Sequence, residues 1–538
     1  MFLLMACLWP VWSVCAAEGD RPLWERVDAL ILAKSDGELA ARGTDAEFLR
    51  RVTLDLAGRI PTTDEVRDFL ADAADKRVRK IDRLLASPEY AARMRDVWHV
   101  VLMERLGDHP EWLSFLEQAF RENRPWDQTV RQILDPQESD ESLRGAAFFW
   151  TKRLENYGQN PVDYPALTRD VGRLFLGVDL QCAQCHDHLF VDTYHQADFQ
   201  GLSAFVAQTF LRTDVKYPAV GEKPVGSKIE FTSVFTKVSG STGPRLPGGM
   251  EVEVPSLVKG EEFEVPPDKA TKFPGRPKFR PLEILAKQVT ANEQTNFDRN
   301  AVNRIWFSLM GRGLVHPLDL HHPDNPPSHP ELLELLTKEF AGHGRDVRWL
   351  IRELMLSETY QRSGRWAGAR VQSGGKVPAE SSYRVAIERP LSSEQLLASV
   401  VLATGEPELS LLVLSPRDKE SKAYTQELER FRKAFSNIAR DPEIEFRPSV
   451  KGALFLMHDA EVLTWFQPSR SQTVSRLVPL SDEQLADELY LTVLSRLPDD
   501  DERKTVQEFL QAEPEQRAVR VGHLVWSLVA SAEFALNH

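Results

Sequence analysis

Apolar residues recur at helical spacing from the first charged segment of the chain onward. In "LWERVDALILAKS", Leu23, Val27, Leu30 and Ile31 fall on one face, which predicts an amphipathic helix. "EFLRRVTLDLAGRIPTTDEVRDFLAD" predicts a helix that stops at Gly58 and Pro61 and a second that restarts at the threonine cap. "KIDRLLASPEYAARMRDVWHVVLMERL" continues the pattern across a Ser-Pro break, and Trp98, Trp112 and Trp126 read as core.

Between residues 211 and 280 the period shortens. "KIEFTSVFTKVSGSTGPRLPGGMEVEVPSLVKGEEFEVPP" alternates in short runs, which predicts a small antiparallel β insertion with turns at "STGP" and "PGG". Helical spacing returns at 281. In "FDRNAVNRIWFSLMGRGLV", Val302, Ile305, Trp306 and Leu309 share a face and Gly311 follows as a C-terminal cap. Ser328 and Glu331 stand at capping-box spacing, and "PLSSEQL" and "PLSDEQL" repeat one kind of helix start. "LAGRIPTTDE" and "LSRLPDDDE" both set Arg-apolar-Pro before an acidic helix start, an echo too short to establish duplication. Residues 364–380 lack periodicity and read as an exposed loop. The expected fold is mainly α: multi-helical domains over 18–210 and 281–538, joined by a β insertion or linker over 211–280.

Composition narrows the function classes. The 538 residues suffice for several domains, and 42% hydrophobic with 27% charged content is ordinary for a soluble protein. With 66 basic and 80 acidic residues the net charge is −14 and no basic stripe dominates, which argues against a nucleic-acid partner. No apolar run beyond the N-terminus approaches eighteen residues, so no transmembrane segment is expected in the mature chain. "MFLLMACLWPVWSVCAAEGD" carries no charge before Glu18 and ends its apolar run in small residues. It reads as a signal peptide over 1–17, without the usual basic start, and implies export to the periplasm or cell surface.

Export changes the meaning of the cysteines. Of the four, Cys7 and Cys15 lie in the leader; Cys182 and Cys185 remain, within "FLGVDLQCAQCHDHLFVDTYHQADF". Two thiols at this spacing can each add to a haem vinyl group, with His186 beneath the iron as proximal ligand. Other chemistries stay open. His186, Asp187, His188 and His195 could complete a zinc or iron site with the thiols, and Asp192 could join a second metal with Asp187 and His188. A redox dithiol or a local disulfide would use the cysteines alone. For a distal ligand the sequence offers Met250, Met310, His188, His195, His316, His321, His322 and His329, with Met310 better read as core and His188 too close to His186 to reach the opposite face of the same iron easily. Arg169 and Arg173, one turn apart before the motif, could meet haem propionates or form a solvated helix face.

"VGRLFLGVDLQCAQCHDHLF…ADFQGLSAFV" resembles the cysteine-containing, cytochrome-c-type domain of unknown function found in large exported planctomycete proteins. "LRRVTLDLAGRIPTTDEVRDFLA" resembles the start of that domain. "FDRNAVNRIWFSLMGRGLVHPLDLHHPDNPPSHPELLELLTKEF" and "LIRELMLSETYQRS" resemble the planctomycete-specific domain that usually follows it. The family pattern C-H-D-H-x-F-D is interrupted here by Val191 before Asp192, and His321-His322 depart from the usual text, so no role for these residues carries over. The resemblance implies 18–210 as the cytochrome-c-type domain and 281–538 as the second domain.

Two functions follow. One is an exported redox or electron-transfer protein with one covalent haem c on Cys182, Cys185 and His186, serving a redox partner whose identity the sequence does not give. The other is a non-haem zinc or iron protein, an enzyme or a binder of extracellular polymers. A purely structural cluster on a surface scaffold is a third. No G-x-S-x-G, H-E-x-x-H or phosphate loop is present, so the sequence leaves enzymatic activity undecided.

Overall fold

The structure, a computed structural model, describes residues 21–73, 75–156, 158–366, 377–415, 421–443 and 450–538. The expected signal peptide lies outside the described residues, as does most of the loop expected over 364–380. Among the described residues there are twenty-five α-helices, and strands occur only as four two-stranded antiparallel ribbons. The mainly α reading therefore holds.

Three of the ribbons lie in or at the edge of the β insertion expected over 211–280, the first starting two residues before it. They pair Thr209–Leu211 with Val220–Glu222, Ile229–Thr232 with Ser239–Thr242, and Phe263–Val265 with Arg276–Pro277. One turn differs from expectation. The second ribbon reverses over 233–238, where Lys237 takes a left-handed φ of 59° and its N–H reaches Ser233 O at 3.0 Å. "STGP" instead continues the returning strand as far as Thr242. The "PGG" turn is present, with Gly248 at φ 68°.

The apolar residues form two cores. The first runs from Leu23 to Tyr383, with Leu491 added from the end of the chain, and takes in the helices Pro281–Val289, Thr295–Met310, Pro330–Gly342 and Val347–Leu356 together with those before the β insertion. The second spans Leu391 to Phe534 and borrows Leu54 and Ile60 from the beginning of the chain. The cores thus part near residue 390, more than a hundred residues after the compositional change. Trp98, Trp112 and Trp126 are all buried in the first core.

The helix Asp45–Ala57 lies between the two cores and is buried from Phe48 to its end, charges included. Arg50 donates to the Val493 and Phe534 carbonyls at 3.3 and 2.9 Å, while Arg51 donates to the Arg362 and His538 carbonyls at 2.7 and 3.2 Å. A buried charge is costly unless it is paired or hydrogen-bonded, and Arg50 meets this through its two Nη groups while its Nε stays without a partner. Apart from Glu47 in the same helix, which takes Arg51 at 3.0 Å, these acceptors belong to segments between 362 and 538 that must be brought to this helix.

The echo between "LAGRIPTTDE" and "LSRLPDDDE" is also a shared geometry. Each first helix ends on a left-handed residue, Gly58 at φ 69° and Ser495 at φ 62°. Each following arginine donates to the next carbonyl at 3.1 Å and to the capping-box glutamate at 2.7 Å: Arg59 to Ile60 and Glu65, Arg496 to Leu497 and Glu502. Each also meets the glutamate of a later Ser-x-Glu-aromatic helix start, Glu89 at 3.5 Å and Glu533 at 2.6 Å. The two corners touch through Thr63 and Thr492, whose hydroxyls lie 2.9 Å apart.

Candidate functional site

The cysteine segment is positioned by what precedes it. The helix Tyr164–Val171 widens into a π turn over Gly172–Leu176 and ends at Gly177, φ 68°. Only glycine suits this corner, since a Cβ there would lie 2.6 Å from the His321 ring as well as demanding a left-handed backbone. The chain then runs beside 319–321. Asp179 N–H donates to Asp319 O at 2.9 Å, and His321 N–H donates to Gly177 O at 3.0 Å.

A 3-10 turn over Cys182–Gln184 follows, with Ala183 buried beneath it and both thiols free and exposed. Gln200 of the helix Gln196–Val206 donates to Gln184 O at 3.1 Å, and Arg169 to Gln184 Oε1 at 3.3 Å. On the other side, Val234 N–H from the tip of the second ribbon donates to Cys185 O at 3.0 Å. The motif is therefore held by its backbone and by Gln184, which leaves both thiols to solvent.

The histidines divide by their ring nitrogens. His186 Nδ1 lies 2.6 Å from Asp187 O, and a carbonyl only accepts, so the proton sits on Nδ1 and the Nε2 lone pair is left available. His188 shows the reverse arrangement. Its Nδ1 accepts from the N–H groups of Phe190 and Val191 at 3.2 and 2.9 Å, which builds the turn after the motif. Asp187 Oδ1 accepts from Gln196 N–H at 2.8 Å and sits 3.9 Å from His195 Nδ1, so this carboxylate serves the start of a helix. Asp192 is exposed. Among the described residues no group of three or more His, Cys, Asp or Glu side chains is arranged to hold a metal ion.

The remaining candidates are dispersed. Met250 is 90% exposed, whereas Met310 belongs to the first core. His316 lines a large cavity away from the motif, and His329 packs on Tyr383 with ring centroids 5.5 Å apart. His322 meets the Tyr194 ring edge-on at 5.7 Å, and Tyr194 in turn faces His188 at 6.0 Å. Arg173 is neither a solvated residue nor free for a propionate. It is committed to Glu104, Asp319 and Asp170 at 2.8, 2.9 and 3.2 Å, an arrangement the local sequence does not reveal.

His321 is held neutral. Burial, with the charges of Arg299 and Arg304, pushes its pKa down to about 4. A base whose folded pKa lies below its unfolded value binds its proton more readily when unfolded. Its contribution is therefore complete above the unfolded pKa near 6.5 and is lost as pH falls through that value towards 4. Melting curves over this window are expected to show wild-type stability dropping by a few kcal/mol more than that of His321→Asn. Parallel curves for the two proteins would overturn the assignment.

Sequence reasoning did not anticipate the apolar rim of this site. Leu189 and Phe190, just past the motif, are 63% and 82% exposed, and Val234, Phe235 and Val238 at the ribbon tip are exposed as well. The Phe235 ring lies against His186 with centroids 4.3 Å apart. The signal was present as two short apolar runs, "LFV" and "VF", flanked by turn residues. No helix among the described residues is long and apolar enough to cross a membrane.

Two family models match the chain. Residues 26–210, which include the cysteine motif, match PSCyt2, described as a protein of unknown function (DUF1549). Residues 283–510 match PSD1, also described as a protein of unknown function (DUF1553). The two stand in the order that the resemblance in the sequence implies. No curated protein and no solved structure matches the chain.

Proposed function

We propose, for a chain that joins these two family domains in this order, that Cys182, Cys185 and His186 carry one covalent haem c and that the protein serves electron transfer or redox chemistry outside the cytoplasm, in the periplasm or at the cell surface. The observation that carries this reading is the state of the three attachment groups. The thiols are free, exposed and on one short turn, and His186 has its Nδ1 proton engaged by Asp187 O, which leaves Nε2 for iron. The exposed side chains of Leu189, Phe190, Val234, Phe235 and Val238 give a flat apolar group surface to rest on. The PSCyt2 name of the matched family agrees with this reading.

Haem bound here would supply a one-electron couple whose potential depends on axial ligation and exposure. The chain's own part is to present Cys182 and Cys185 for thioether formation, to fix the His186 tautomer, and to shield one face with the ribbon tip.

The test is expression of the full chain with an exported haem-attachment system, followed by a pyridine haemochrome spectrum after denaturation. One covalently retained haem per chain is expected. Cys182→Ala and Cys185→Ala should each shift the band and lower the yield, and the double variant should retain none. A colourless protein, with or without stoichiometric zinc or iron, would overturn the reading, and metal content would favour the non-haem alternative.

A further inference from the structure

A cavity of about 870 Å³ opens between the two cores, within the size range of small-molecule sites. None of residues 175–199 lines it, so it is separate from the cysteine motif. Its walls combine apolar side chains, among them Val97, Val101, Ile305 and Phe307, with a set of charged residues.

Nearly all of those charges are matched. Of the arginines, Arg173 and Arg304 share Asp319, Arg389 is paired with Asp55 at 2.8 Å, and Arg312 with Glu380 at 3.5 Å. Of the carboxylates, Glu104 is taken by Arg173 at 2.8 Å, Glu394 and Glu443 by Arg105 at 2.6 and 2.9 Å, and Asp96 by Arg95 at 2.8 Å. Glu388, on the exposed rim, is the carboxylate left over.

Arg93 is the exception among the cations. It rises from the helix Pro88–Met103, its stem rests on Gly58, and its guanidinium reaches the cavity. Its Nε is buried with no hydrogen-bond partner. Burial pushes its pKa down, and the fields of Asp96 and Asp55 offset this only in part. Arg93 is half-buried, and a guanidinium that reaches a cavity with no ion pair among the described residues and an unfilled Nε donor is suited to a planar oxyanion.

We propose that this cavity binds a small organic anion, an oxyanion head on an apolar body, with Arg93 taking the head and the walls around Val97 and Phe307 taking the body. The neighbouring carboxylates are neutralised by their own arginines, so Arg93 is the cation left to attract a ligand. The assignment is independent of haem attachment.

The probe is 1-anilinonaphthalene-8-sulfonate, titrated into the folded full-length protein and followed by fluorescence, with benzoate and benzyl alcohol as competitors. Saturable binding is expected, displaced by benzoate and not by benzyl alcohol. Arg93→Gln should weaken it by about tenfold or more, Arg93→Lys by less, and Val97→Trp should block it by filling the cavity. Arg93→Gln should also melt at or above the wild-type temperature, because it removes a half-buried cation that has no ion pair among the described residues and a buried Nε without an acceptor. Absence of saturable binding to the wild type, equal affinity of Arg93→Gln, or displacement by benzyl alcohol would each overturn the proposal.

Discussion

Asp55→Ala is expected to destabilise the protein by about 3–5 kcal/mol, the range for stripping one partner from a buried ion pair. Asp55 is 5% exposed and both of its carboxylate oxygens are in use. Oδ2 receives the Tyr360 hydroxyl and Arg389 Nη2, each at 2.8 Å, and Oδ1 receives Asn537 Nδ2 at 2.8 Å. Alanine would leave an enclosed guanidinium and two neutral donors with nothing to replace the carboxylate. The three donors come from the first core, from the strand Arg389–Pro390 and from the C-terminal strand Leu536–Asn537, so the loss falls on the junction of the two cores. Asp55→Asn keeps the volume and removes the charge, and should fall between the wild type and alanine. Equilibrium denaturation reads the size of the effect. Limited proteolysis reads its place, with residues 391–534 released at lower denaturant than the rest. Melting of Asp55→Ala indistinguishable from the wild type would refute the assigned role.

That junction also marks the boundary of what local sequence can convey. Elements closed by near neighbours were legible. Gly58 and Gly311 end helices in left-handed conformation, and Ser392 and Ser481 cap helices through the N–H of Gln395 and Gln484. The threonine cap expected before the second helix is Thr62, which forms a capping box with Glu65. Where two local signals compete, the pattern misleads. Ser328 has capping spacing to Glu331, yet Pro330 begins the helix and His329 becomes its cap position. Proline's fixed φ and missing N–H suit the first helical turn, and this outweighs the serine.

Long-range partners are not written in the period at all. The three charges in "LRRVTLD" give no local sign of burial, but that helix is buried from Phe48 to its end. Glu47 takes Arg51 from within the helix, but the backbone acceptors of both arginines lie hundreds of residues away, so no window of sequence contains both halves of those interactions. The candidate site divides in the same way. Cys182, Cys185 and His186 were evident from spacing because their chemistry is local. Phe235 reaches His186 only through the fold of the β insertion, and Asp187 is claimed by a helix start nine residues on. Arg173 looked like one of a pair on a helix face because its partners, Glu104 and Asp319, belong to distant segments.

Arg173→Gln is therefore expected to cost about as much as Asp55→Ala, on the order of 3–5 kcal/mol. Arg173 stands in the middle of an alternating series. Arg153 binds Asp170 at 2.8 Å, Asp170 and Glu104 bind Arg173 at 3.2 and 2.8 Å, and Asp319 joins Arg173 to Arg304. Glu104 is 4% exposed, and no other cation is paired with it among the described residues. Glutamine at 173 would leave that carboxylate enclosed without a counter-charge. A second substitution, Glu104→Gln, removes the stranded charge and should restore part of the loss, so the double-mutant cycle should show strong non-additivity. Additive effects would place the two residues in separate environments and defeat the argument. The same network reaches the cysteine motif, because Asp319 O holds Asp179 N–H at 2.9 Å, three residues before Cys182. Hydrogen exchange should accordingly accelerate over 178–186 in Arg173→Gln while the second core keeps its protection, since local opening follows the contacts that are lost. An ion network at the foot of the motif then has a definite function: it fixes the strand that presents both thiols, which the short turn over Cys182–Gln184 could not do alone.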